Sequence, residues 1–237
     1  MERERGKPMR LSRRGMLLGG MGAALASCAP AQRLVEMSDP LAPVAVQPEP
    51  LVLSTEPLRA PTLLDPEGLI RRDLRERAVA ALDAHAAALG PRDRIYVVDF
   101  ARHSAEPRLF ELDLESGRAT AFRTAHGVGS DPAHVGVPQA FSNIPDSLAS
   151  SVGAYRTGGA GWGSKHGPNV LLDGLDPTND AARARAIIVH AADYCEPEFV
   201  AREGKLGRSF GCFATSFADL PFLRERMGEG RLLYASA

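Results

Sequence analysis

Apolar side chains at Ile70, Leu74, Ala78, Ala81, Leu82 and Leu89 recur at the spacing of one helical face. Asp65 and Pro66 ahead of them read as an N-cap and a first-turn proline, and Gly90-Pro91 stops the run, so a helix is predicted between those signals. Beyond Pro91 the period shortens. "RIYVVDF" is β-rich, "RLFELDL" alternates apolar and polar positions, and "ESGRA" supplies a turn into "TAFRTAHG", the pattern of an antiparallel meander. From His126 to Pro168 glycine, serine and proline dominate, which predicts a long loop-rich stretch of a kind that usually carries function. Strand character returns in "NVLLDGL" and "RAIIVHAA", with a short helix expected around Asn179 to Arg185. "SFADLPFLRERMG" reads as a helix and "RLLYAS" as a last strand. The elements sum to a mainly β domain with flanking helices, and no internal repeat is visible.

The chain ahead of that domain has a different texture. Residues 1–28 pair a basic start with a short apolar stretch, Gly15 to Ala26, and Arg13-Arg14 in "SRRGMLL" resembles a twin-arginine export signal. "LASC", Leu25 to Cys28, resembles a lipobox in which Cys28 becomes the acylated first residue; cleavage after "APA", Ala29 to Ala31, is the competing route and would release a soluble protein. Residues 29–66 carry eight prolines and read as a semi-extended tether, long enough to hold residues 67–237 on the order of 100 Å from an anchor. The expected location is therefore the periplasm or cell envelope, with the domain anchored through lipid on Cys28.

Composition narrows the class further. With 237 residues, 44% hydrophobic and 24% charged, the chain suits one good-sized globular domain plus appendages. A net charge of -1 lacks the basic excess of a nucleic-acid binder. If Cys28 is lipidated, Cys195 and Cys212 remain, too few for a disulfide scaffold in an oxidising compartment.

Two stretches carry candidate chemistry, "AIIVHAADY" and "GRSFGCFAT". His190 ends an apolar strand, where a side chain emerges toward a cleft, and Cys212 follows after a charged connection. Gly211 before it permits unusual backbone angles and close approach of a carbonyl group, and amides around Gly211 and Cys212 are candidate oxyanion donors. A thiol needs a base to become a nucleophile at neutral pH, and histidine is the usual one, so the pair implies acyl transfer through a thioester. The alternatives stay open on spacing alone: a buried structural thiol, a Cys195–Cys212 disulfide, or a zinc site from His190, Cys195 and Cys212 that lacks a clear fourth ligand.

"RAIIVHAADY … GKLGRSFGCFAT" resembles the active-site signature of the YkuD-like L,D-transpeptidases, in the branch of murein L,D-transpeptidase catalytic-domain proteins. Further blocks in the same order, "VDFARHSAEPRLFELDL", "AHGVGSD", "FSN", "SSVGAY" and "SKHGPNVLLDGLDPTND", extend the resemblance over about Arg94 to Thr215. It implies a mainly β sandwich or barrel, Cys212 as nucleophile, His190 as base, Ser209 ordering the loop or the imidazole, and oxyanion amides from Gly211 and Cys212. The implied substrate is the peptidoglycan stem peptide, with terminal D-alanine expelled and an amine acceptor resolving the thioester; no metal or cofactor is implied. A carboxypeptidase or endopeptidase on the same scaffold and a non-catalytic wall-binding lipoprotein are the rival functions. His166, Arg208, Ser142, Asn143 and Tyr155 are candidate substrate-binding residues, with His126 a second loop histidine. Asp99, Ser104 and Arg108 read as a structural polar network. Three positions depart from the pattern of relatives: Phe210 for a histidine, which would leave His190 as the only local base, Ala214 for an arginine, and Phe213 for a proline.

Overall fold

The computed structural model describes residues 62–237; the export signal, Cys28 and the tether up to residue 61 lie outside the described residues. Eight strands form one sheet in the order β3-β2-β1-β8-β4-β5-β6-β7. In chain order they are β1 (Arg94–Asp99), β2 (Leu109–Asp113), β3 (Ala119–Phe122), β4 (Gly153–Gly163), β5 (Gly167–Gly174), β6 (Ile188–Ala191), β7 (Phe213–Thr215) and β8 (Glu229–Ser236). The β1–β8 and β6–β7 pairs are parallel and the rest antiparallel.

The sheet nearly closes on itself. The chain leaving β3 reaches β7 through Ala125 N–H to Ala214 O (2.7 Å) and Thr124 Oγ1 to Ala214 O (3.1 Å). A bridge between Gly127 and Ser209 continues the seam, with Ser209 N–H donating to His126 O and Val128 N–H to Ser209 O. "GRSFGCF" therefore lies where the barrel is sealed, held from both sides by backbone hydrogen bonds.

β1 is buried on both faces, which explains why "RIYVVD" shows no alternation. Tyr96 and Val98 face the barrel core with Phe100, Leu109, Val170, Val189 and Phe213. Ile95 and Val97 face the other way and pack with Phe110 and Leu112 against Leu74, Ala78 and Leu82 of α1 (Arg72–Ala84). α1 starts six residues later than the Asp65-Pro66 signal suggests. Asp65 instead caps an isolated turn, its carboxylate accepting the amides of Leu69 and Ile70.

Three further expectations are corrected. The long loop-rich stretch contains β4, eleven residues whose glycines hide any alternation; pairing with both β5 and β8 supplies what local propensity lacks. Pro177 to Ala186 forms successive turns rather than a helix, because the Asn179 side chain bonds Asp176 N–H and Ala154 O in competition with a helical ladder. The charged connection after His190 holds α2 (Pro197–Glu203), with proline in the first turn and Gly204 at φ 71 closing it. The last helix, α3 (Asp219–Met227), is where the pattern places it.

Candidate active site

His190 and Cys212 are brought together by the β6–β7 pair. Its parallel register sets His190 beside Ala214 and Val189 beside Phe213, so Cys212 stands two positions back from Ala214 on the same face. Both side chains line one cleft of about 140 Å³, roofed by Lys165 and His166 from the β4–β5 turn and by Tyr194 and Phe210.

His190 is almost wholly buried, and its Nδ1 lies 2.9 Å from the Ala191 carbonyl. A carbonyl only accepts, so Nδ1 carries the proton and Nε2 holds the free lone pair. Burial is the main cause that pulls the imidazole down to about 4; the Ala191 bond opposes this, while the nearby His166 and Lys165 add to it. The Cys212 thiol is also buried and is pushed above its ordinary range by desolvation, against the opposing pull of the Ile188 amide, Arg185 and Lys165. Its hydrogen bond runs to Ala186 O at 3.6 Å, and Ala186 sits at φ 53, a left-handed conformation that alanine seldom adopts. Burial thus favours the neutral form of both groups.

The loop around Cys212 is internally braced. Ser209 Oγ donates to Cys212 O (2.7 Å) and accepts from Gly211 N–H (3.1 Å). Of the two amides expected as oxyanion donors, that of Gly211 is thus engaged within the loop by Ser209 Oγ. Gly211 has φ +110, and a Cβ there would stand 2.7 Å from Ala149 O and 2.8 Å from Ile187 Cδ1, so the close approach requires glycine.

A buried polar chain supports the seam from behind. Arg108 donates to Thr124 O, Arg102 O and His126 Nδ1 (2.6 Å), and His126 Nε2 meets Asp131 at 3.2 Å. Asp131 also accepts the amides of Val135 and Gly136. His126 is accordingly a fully enclosed structural residue, not part of the cleft. Asp99 and Ser104 are buried in the same region as the network expected of them, bonded to Arg71 and to Leu206 N–H.

The other expected substrate-binding residues divide. His166 lines the cleft and restores a second imidazole to it from the β4–β5 turn, so His190 is not the only histidine there despite Phe210. Arg208 also lines it, but its guanidinium is tied to the carbonyls of Asp131 and Pro132. Tyr155 belongs to the core, edge-on to Phe213 and bonded through its hydroxyl to Ser151. Ser142 and Asn143 line a separate depression with Thr178 and pin the turns after β5, Asn143 through Pro177 O, Asp180 and the Ala181 amide. Ala214 is buried among Ala125, Cys195 and Leu206, an apolar pocket unsuited to the charge of arginine.

Cys195 and Cys212 are both free thiols, and Cys195 sits in that apolar cluster with its thiol pushed up by burial. Among the described residues no group of three His, Cys, Asp or Glu side chains is arranged to hold a metal ion, and no helix is long and apolar enough to cross a membrane. Lys165 and Tyr194 escaped the sequence reading. Lys165 adjoins His166 in a turn whose reach toward β6 only the sheet order reveals, and Tyr194 packs over Gly207, where a side chain would collide with it.

Residues 68–236 match the family described as the L,D-transpeptidase catalytic domain. The chain belongs to this family. Its mainly β, nearly closed eight-stranded sheet with three helices is the fold of that domain. Similar solved structures include an L,D-transpeptidase from Mycobacterium smegmatis, 12% identical over 61% of this chain and 59% of that one, with a TM-score of 0.38. The helical cell shape determining protein Pgp2 from Campylobacter jejuni is 13% identical over 67% and 55%, with a TM-score of 0.36. The chain thus spans somewhat over half the length of these two relatives. No curated protein matches the sequence. For an L,D-transpeptidase catalytic domain, the cleft holding Cys212 and His190 is the candidate active site.

Proposed function

We propose that this domain performs cysteine-dependent acyl transfer on peptidoglycan stem peptides. The observation that carries the proposal is the His190 ring, fixed by Nδ1–H to Ala191 O with Nε2 left as a base in the cleft that holds Cys212. Nε2 takes the thiol proton as Sγ attacks the carbonyl of the third stem residue, a diamino acid. The Cys212 amide is the donor for the oxyanion, and the protonated imidazole returns its proton to the departing amine of D-alanine. A side-chain amine of a second stem then attacks the thioester, closing a cross-link and releasing the thiol. Ser209 acts on this chemistry by fixing the loop through Cys212 O and Gly211 N–H.

Export and attachment through lipid on Cys28 belong to the same proposal, since the substrate lies in the envelope. Membrane fractionation of cells expressing wild type and Cys28→Ala tests the anchor: release of the variant supports it, and unchanged partition contradicts it.

Incubating the purified protein with disaccharide tetrapeptide under reducing conditions tests the activity. Loss of D-alanine with 3→3 dimers is expected. Tripeptide without dimers reassigns the domain to hydrolysis, and unchanged substrate contradicts an enzymatic role.

A further inference from the structure

The cleft beside Cys212 is lined by two cations, Lys165 and Arg208, and by no carboxylate. Arg208 already satisfies the carbonyls of Asp131 and Pro132. Arg185, the cation on the Ala186 side of the thiol, is likewise committed to Ser142 O (2.8 Å), Ser147 Oγ (3.2 Å) and Ala149 O (2.6 Å). Lys165 differs from both. It is exposed, its Nζ lies 4.9 Å from the centroid of the Phe210 ring, and it makes no hydrogen bond or ion pair among the described residues.

Its charge nonetheless acts on the site: the Lys165 ammonium disfavours protonation of the His166 and His190 imidazoles and favours the Cys212 thiolate. A contact with an aromatic face at an exposed site holds an ammonium group weakly, whereas a carboxylate gives it charge-assisted hydrogen bonds. An exposed ammonium group whose three donors have no protein partner among the described residues, at the edge of an acid-free cleft, is suited to exchange the ring for an anionic ligand.

We infer that Lys165 is the specificity-determining residue of the cleft and binds a carboxylate of the acyl-donor peptide. The inference rests on the stem-peptide reading above. Two sources share this chemistry: the terminal D-alanine carboxylate and the carboxylates within the stem. The residue's place on an exposed turn separates its role from folding.

Binding to the full-length protein carrying Cys212→Ala, measured by titration calorimetry, tests this without requiring turnover. Three probes distinguish the sources: the tetrapeptide acid, its C-terminal amide, and a tetrapeptide with its internal carboxylates amidated. One amidated form is expected to bind about tenfold more weakly than the acid. Adding Lys165→Gln should reduce that gap to within about twofold, and Lys165→Arg should retain it. Equal affinity for all three probes, no measurable binding, or a gap unaltered by Lys165→Gln overturns the inference. Failure of the acyl-transfer reading appears elsewhere, as wild type that releases no D-alanine.

Discussion

The His166 ring lies 4.1 Å from the His190 ring, centroid to centroid, tilted by 37°. The β4–β5 turn thereby covers one side of the imidazole on β6 and limits its access to water. Removing this cover with His166→Ala lets water reach His190 and deletes the neighbouring histidine charge. The His190 imidazole should then rise from about 4 toward 6.5, the value of an unburied ring. Histidine ring resonances followed by NMR across pH 3.5–8 check this, and an unmoved titration contradicts it.

A thiol and an imidazole whose neutral forms burial favours predict a particular reactivity. Alkylation of Cys212 by iodoacetamide without substrate should be slow at pH 7 and still climbing above pH 9, because burial raises the thiol. A rate plateau across pH 6–8 would instead indicate a preformed thiolate–imidazolium pair.

Ser209 and Gly211 define the nucleophile loop. Ser209→Ala strips the hydrogen-bond donor from Cys212 O and the acceptor from Gly211 N–H, a loss of about 1–3 kcal/mol in a buried loop. Gly211→Ala adds left-handed strain and a collision with Ala149 O, again roughly 1–3 kcal/mol. Denaturant unfolding should register both losses. Acyl-enzyme formation should fall further in Gly211→Ala, where the backbone beside the sulfur must shift.

Acid stability follows from the two buried histidines. His126 and His190 are each pulled from 6.5 to about 4, so the unfolded chain binds protons that the folded state refuses. Their contribution is complete above pH 6.5 and is lost as pH falls from there toward 4, by roughly 3 kcal/mol for each ring. The lowered carboxylates Asp93, Asp113, Asp131 and Asp173 act only below that window, under their ordinary 3.8. Urea titrations at pH 7, 6, 5 and 4.5 should show a falling midpoint, and a flat profile contradicts the burial argument.

The sequence made the chemical pair legible because both halves carry local signals. His190 closes an apolar run, and Cys212 follows a glycine that no other residue replaces. The strands with apolar runs, β1, β5, β6 and β8, and the alternating β2 were readable from their local patterns. β4 was not, since Gly158, Gly159, Gly161 and Gly163 show no periodicity and the strand exists through its two neighbours. Tyr155 then passed for a groove residue although it fills the core. Ser142 and Asn143 were drawn to the site by order along the chain, but their bonds run to the turns after β5. Lys165 stayed hidden because a charged turn residue has no local signature until the sheet order sets β5 beside β6.

The central claim is that Cys212 becomes acylated with His190 as its base. Intact-protein mass spectrometry after brief exposure to stem tetrapeptide tests it most directly. The account predicts an adduct equal to the peptide less D-alanine, mapped to Cys212, absent in Cys212→Ala and formed far more slowly in His190→Asn. An unmodified wild-type protein, or an adduct that persists in Cys212→Ala, would contradict it.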